Sequence, residues 1–314
     1  MILATLRDGT PDGRLVLVSP DHDRCAPAPV GTLQQALEDW PAFVAAAQAV
    51  RDFSESLDPA ALTAPLPRAW QWLDGSAFPT HGELMQVAFH LDPIDTDRPL
   101  MYQGMSDRFY GPADDVPLPD EAHGIDFEGE FGVIVDAVPM GTSAADAMRH
   151  IRLVVQINDW SLRAIAPVEM KTGFGWVQAK PACSMAPFAV TPEELGEAWR
   201  DGRVALNLHV DWNDQRFGRA NGAAMQFGFH ELVAHAALTR DLVAGTIIGS
   251  GTVSNPDYAE VGSSCISEVR AIEMIASGAP QTGFMRFGDR VRMAAHTADG
   301  RQPFGAIDQQ VVQR

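Results

Sequence analysis

The sequence predicts an α+β protein that is mainly β, with a small α+β N-terminal domain over residues 1–65 and one large domain over 66–314. Three observations carry that prediction. β-rich apolar runs recur along most of the chain, and clear helix starts are few. The two do not alternate in the order that a doubly wound nucleotide-binding sheet requires. Residues 58–67 hold three prolines in ten positions, a rigid connector and the natural boundary.

The elements follow in chain order. Apolar runs at 2–6 and 15–18 flank Asp8-Gly-Thr-Pro-Asp-Gly13, whose turn chemistry predicts a hairpin. Leu33, Leu37, Trp40, Phe43, Val44 and Val50 recur at helical spacing, with Pro41 dividing the helix in two. In the large domain, Ser143 with Asp146 and Thr191-Pro-Glu-Glu194 form capping-box starts. A helix is expected over 229–244, closed by Gly245. Strands are expected at 131–135, 151–157, 204–210 and 261–274.

Composition narrows the function classes. Forty-one acidic residues against 23 basic ones leave a formal charge of −18, which argues against a nucleic-acid partner. Lys171 and Lys180 are the only lysines, so neither is easily dismissed as surface decoration. Cys25, Cys183 and Cys265 form no CxxC pair, against both a disulfide framework and a thiolate zinc site. The apolar start stops at Arg7-Asp8, and no run approaches a membrane span. A cytosolic protein without a membrane partner is the expectation.

The richest stretch is Asp126-Phe-Glu-Gly-Glu-Phe-Gly-Val-Ile-Val135. On a strand, Glu128 and Glu130 face the same side about 6.6 Å apart, close enough to share a hard divalent cation. A solvated strand face fits this motif equally well. Asp159 in Asn158-Asp-Trp-Ser-Leu-Arg163 closes an apolar run; turn formation is the plain reading, and Arg163 adds an anion-recognising guanidinium. Asp74 precedes His81 by seven residues, although Asp-Gly often marks only a turn. Lys180 sits among apolar neighbours before Pro181, so its charge is paired or used. The glycine-rich 245–256 segment lacks the Gly-Lys-Ser/Thr ending of a phosphate loop and reads as strand plus turn, with Thr252 able to meet a ligand. His230 and His235 are five residues apart, so on a helix they face about 140° apart and cannot share a zinc ion.

In order and spacing, from about residue 66 onward, these motifs resemble the fumarylacetoacetate hydrolase family. Asp126-Phe-Glu-Gly-Glu130 is similar to its paired-glutamate strand, and Asn158-Asp-Trp-Ser161 with Arg163 to its Asn-Asp-x-Ser-x-Arg segment. Lys180 precedes the Pro- and Phe-containing stretch Met185-Ala-Pro-Phe-Ala-Val190, and Gly249-Ser-Gly-Thr252 resembles the family's Gly-Thr turn. Asp74 and His81 have the spacing of the metal-binding Asp and general-base His of the fumarylacetoacetase branch.

The resemblance implies a rolled mixed sheet, a homodimer, and Mg²⁺ or Ca²⁺, with Mn²⁺ a third choice, on Asp74, Glu128, Glu130 and Asp159. It implies hydrolysis of a carbon–carbon bond in a small diketo acid, such as 4-fumarylacetoacetate or an acylpyruvate. His81 would be the base, and Lys180 and Arg163 the oxyanion's positive charge. Tyr102, Thr252, Ser76 and His90 would meet the substrate, Ser76 replacing a tyrosine and His90 standing where an arginine would hold a carboxylate. Ala166 stands at an oxyanion-hole glutamine. Ile266 is in register with the acid that orients the base, and Glu268, on the same expected strand face, is its substitute. Oxaloacetate-type decarboxylation, keto–enol isomerisation and non-catalytic metal binding are the alternatives.

Overall fold

The computed structural model describes residues 1–90, 92 and 97–314. Its centre is an eleven-stranded sheet. From one edge it runs Glu55–Ser56, Arg24–Pro27, Arg14–Val18, Ile2–Leu6, Ala189–Val190, Ile151–Asn158, Gly129–Val135, Ile247–Gly249, Trp72–Ser76 and Leu100–Gly104, with Ser184–Met185 also paired to Ile151–Asn158. The N-terminal hairpin joins this sheet directly, with Ile2 opposite Val190 and Leu3 opposite Ala189. Trp72–Ser76 and Ile247–Gly249 run parallel, whereas the other named pairs in this sheet are antiparallel.

Gly129–Val135 is buried at every position because both faces of the sheet are covered. Phe131, Val133 and Val135 pack toward a second, five-stranded sheet through Leu208, Val210, Val291 and Met293. Ile134, on the opposite face, lies in a core with Leu33, Leu37, Trp40 and Phe43. Those four belong to the helices Leu33–Glu38 and Trp40–Ala47, divided at Asp39, whose side chain caps the second. The expected N-terminal helical pair thus roofs the back of the main sheet.

Several local expectations are corrected. Residues 261–274 are not a strand: Ile266–Ser277 is a helix capped by Cys265. The β-branched Ile266, Val269, Ile272 and Ile275 recur every third residue, a helical period that their strand propensity obscured. The helix expected over 229–244 ends at Ala236, because Leu242 leaves to exchange backbone hydrogen bonds with Val138 at 2.8 and 2.9 Å. Thr191 does not cap the 3₁₀ segment Pro192–Ala198; its hydroxyl accepts instead from the chain's terminal ammonium at 3.0 Å. Residues 204–210 divide between Arg203–Val204 and Asn207–Trp212. Among the described residues, no helix is long and apolar enough to cross a membrane.

One buried side chain ties the two sheets together. Gln156 donates to the Met293 carbonyl at 3.0 Å and accepts from the Ala295 amide at 2.7 Å. It takes the place of a neighbouring strand where the ladder from Arg290–His296 to Ile307–Gln313 ends, at Met293 opposite Ile307. Gln156→Leu leaves both backbone groups without a partner in a dry core, so it is expected to cost about 3 kcal/mol in urea unfolding. A loss below about 0.5 kcal/mol would show that the sheets do not rely on this link.

Candidate active site

Three strand ends bring the acids together. Asp74 is the third residue of Trp72–Ser76, Glu130 the second of Gly129–Val135, and Asp159 directly follows Ile151–Asn158. All three are buried, and one carboxylate oxygen from each lies within 4.8 Å of the others. Gly249 makes room for this meeting: a Cβ there would collide with Asp74 Oδ1 and the Trp72 ring. The Gly251 amide donates to Asp74 Oδ1 at 3.1 Å.

Both oxygens of Glu130 are buried without a hydrogen-bond partner. Burial, then Asp159, raises the Asp74 carboxyl well above its ordinary range; burial, then Asp74 and Asp159, does the same to Glu130. Crowded carboxylates with orphaned oxygens fit a hard divalent cation, and these three residues could hold one.

Glu128 is not in that triad. Its Oε1 accepts from Lys180 Nζ at 2.6 Å and from the Ser161 hydroxyl and is ion-paired with Arg163 Nη2 at 3.0 Å, while its Oε2 accepts from the Thr252 hydroxyl. Burial alone would raise its pKa, but Arg163 and then Lys180 outweigh burial and hold it well below the usual range. Lys180 also donates to Asp159 Oδ2 at 2.5 Å, which makes it the link between Glu128 and the triad. Burial disfavours its charge, yet Asp159 and Glu128 outweigh that and keep the ammonium protonated.

Tyr102 donates its hydroxyl to the same Asp159 oxygen at 2.7 Å. His81 lies on the helix Pro79–Phe89, with Nδ1 3.0 Å from Glu268 Oε2 on Ile266–Ser277. The expected partnership of His81 and Glu268 therefore forms across two helices. The structure does not bring Ser76 or His90 into the cluster. Ser76 is exposed at the end of its strand, and His90 is the exposed left-handed cap of the His81 helix.

Sequence reasoning missed two participants. Asp126 is fully buried, accepting from Arg163 Nε at 2.8 Å and from the Ile266 and Ser267 amides at 2.8 and 2.9 Å. Its place at the head of the paired-glutamate motif was a signal, but a helix start at 266 was needed to interpret it. Cys183 donates its thiol to Asp159 Oδ1 at 3.0 Å, and burial keeps that thiol protonated. A lone cysteine three residues after Lys180 carries no spacing signal.

The raised carboxyls make a pH prediction. Groups raised in the folded, metal-free chain stabilise it below the ordinary carboxylate range near about 4. That contribution is lost as pH rises through their raised values, because charge then accumulates in the pocket. A cation relieves the charged form, so the rise in Tm produced by Mn²⁺ is expected to grow from pH 5.5 to 7.5. An increment that is flat or shrinks over that range would remove these acids as the binding site.

Comparison with known proteins gives the family. The family model for the fumarylacetoacetate (FAA) hydrolase C-terminal domain matches residues 71–312, and that for fumarylacetoacetase N-terminal domain 2 matches residues 1–68. A 2,4-didehydro-3-deoxy-L-rhamnonate hydrolase of Sphingomonas sp. (strain SKA58) is 28% identical over 163 residues, 51% of this chain and 54% of that protein. A mitochondrial oxaloacetate tautomerase of Rattus norvegicus is 24% identical over 157 residues, 49% of this chain and 48% of that protein. The matched region spans about half the length of these curated relatives.

Among solved structures, maleylpyruvate hydrolase from Sphingobium sp. SYK-6, in complex with manganese(II) and pyruvate, has a TM-score of 0.68 at 18% identity, covering 100% of this chain and 99% of that one. The 5-carboxymethyl-2-hydroxymuconate delta-isomerase of Mycobacterium smegmatis has a TM-score of 0.64 at 18% identity, with the same coverage. Those two likenesses establish the fold. With the family model covering residues 71–312, the chain belongs to the fumarylacetoacetate hydrolase family.

Proposed function

We propose that this protein is a divalent-cation-dependent hydrolase that cleaves a carbon–carbon bond in a β-diketo acid of the acylpyruvate type. The observation that carries this reading is the His81–Glu268 pair set beside the buried carboxylates. His81 Nδ1 lies 3.0 Å from Glu268 Oε2, and the helix carrying Glu268 starts at Cys265, whose backbone is bridged to that of Glu128. With Nδ1 donating to Glu268, the tautomer assigned by that hydrogen bond leaves Nε2 as the proton acceptor.

Asp74, Glu130 and Asp159 would hold Mg²⁺, Ca²⁺ or Mn²⁺, with Glu128 the further oxygen donor beside them. When bound there, a cation would supply Lewis-acid charge to the substrate. His81 Nε2 takes a proton from water, and Glu268 stabilises the imidazolium. The hydroxide adds to the acyl carbonyl carbon, while Lys180 and Arg163 supply fixed positive charge to the tetrahedral oxyanion. The carbon–carbon bond breaks and its electron pair leaves on the pyruvate methylene, which takes back the proton from His81. One water is consumed, and a carboxylic acid and pyruvate result. The maleylpyruvate hydrolase of the same fold, seen with manganese(II) and pyruvate, supports the choice of cation and product class. A cytosolic homodimer acting on a small diketo acid is the proposed setting.

Keto–enol tautomerisation is the second reading. Ala166, where the resemblance implies a glutamine, opens the helix Ala166–Thr172 without a side-chain donor for an oxyanion. Tautomerisation needs the His81 proton transfer but no attack by water.

Replacing His81 with Ala tests the mechanism. Turnover of acetylpyruvate with Mn²⁺, followed as pyruvate formed, should fall about 10²- to 10⁴-fold, while calorimetric Mn²⁺ affinity stays within about twofold. Unchanged turnover in that variant would eliminate His81 as the base. Loss of enol absorbance in the wild type without pyruvate formation would select the tautomerase reading.

A further inference from the structure

An apolar strip leads outward from the acid cluster. Trp176 stands edge-on to Tyr102, with ring centroids 6.2 Å apart and planes at 85°, and Tyr102 is hydrogen-bonded to Asp159. Leu100 lies two residues before Tyr102 on the strand Leu100–Gly104, so it projects from the same face, and it is 45% exposed. Beyond Trp176, Phe174 and Val177 are 96% and 81% exposed.

The segment bearing these residues is held in place by its own hydrogen bonds. The Glu169 carboxylate accepts the amides of Val177, Gln178 and Ala179 at 3.1, 2.8 and 3.0 Å. The Phe174 amide donates to the Thr172 hydroxyl at 3.2 Å. Gly173 and Gly175 take φ values of 71° and 93°, a left-handed backbone that turns Phe174 outward from both sides. Exposed apolar side chains clustered along so ordered a segment, next to the Trp176–Tyr102 contact, suit a binding surface.

The charges on the cluster side point the same way. Lys180 and Arg163 are held at the reacting end by their pairing with Asp126, Glu128 and Asp159. His90, expected to meet a substrate carboxylate, is exposed at the end of its helix. The cation on the strip's own segment is the exposed Lys171, in the last turn of Ala166–Thr172. A second carboxylate at the far end of a substrate would therefore meet Trp176, Phe174 and Val177 ahead of any cation of the cluster.

We propose that Leu100, Trp176, Phe174 and Val177 form the acyl-tail subsite, and that the preferred substrate carries an uncharged, apolar acyl group in place of a second carboxylate. The inference rests on the acylpyruvate reading for the reacting end and adds the class of the tail.

The test compares acetylpyruvate, hexanoylpyruvate and succinylpyruvate on the Mn²⁺-loaded wild type, Trp176→Ala and Lys171→Ala, by kcat/KM and by calorimetric binding. Each methylene covered is worth about fourfold, so hexanoylpyruvate should exceed acetylpyruvate at least about tenfold in the wild type. It should also exceed succinylpyruvate, and Trp176→Ala should lower the hexanoyl-to-acetyl ratio about tenfold. A preference for succinylpyruvate that Lys171→Ala abolishes overturns the proposal, as does a ratio indifferent to Trp176→Ala. Tighter binding of the hexanoyl compound without any cleavage sustains the subsite and instead rejects the hydrolase reading. A dimer that Phe174→Ser dissociates while tail preference is intact gives the strip to a second copy and also overturns the proposal.

Discussion

The site is governed by an imbalance of buried charge. Among the described residues, six carboxyl side chains are buried: Asp74, Asp126, Glu128, Glu130, Asp159 and Glu268. Two cations, Lys180 and Arg163, reach them from partly buried positions. Removing so many like charges from water is costly unless each finds a partner. The two cations settle on Asp126, Glu128 and Asp159, and Glu268 finds His81. Asp74 and Glu130 are left facing each other and Asp159, and neither Glu130 carboxylate oxygen has a cation or an amide beside it to accept from. That residual negative charge is what suits the pocket to a divalent cation.

The fold supplies the rigidity this imbalance demands. Asp74, Glu130 and Asp159 come from strands that are bonded, directly or through Ile247–Gly249, to their neighbours in one sheet. Their approach is therefore fixed by backbone ladders and by the missing side chain at Gly249, leaving little to side-chain choice. Asp126 extends the same logic to the helix carrying Glu268. By accepting that helix's first amides and the Arg163 guanidinium together, it joins the base side of the pocket to the Glu128 side. The polar Gln156 link between the sheets works similarly, using a buried side chain to finish a backbone pairing.

Sequence alone determined the chemistry available and much of the architecture. The mainly β class, the N-terminal hairpin, the divided helical pair and the strands carrying Glu130 and leading to Asp159 were legible from local periodicity and turn residues, which act over a few positions. The residue types of Asp74, Glu128, Glu130, Asp159, Lys180 and His81 were legible because acids, a rare lysine and a histidine occur in a recognisable order. Tertiary structure decided which of them meet. It set Glu128 on Lys180 and Arg163 and outside the triad, left Ser76 and His90 in solvent, and brought in Asp126 and Cys183. It also turned 261–274 from an expected strand into a helix while keeping Glu268 on His81. The physical reason is that pairing of buried charges depends on through-space distance and desolvation, which a one-dimensional spacing does not encode.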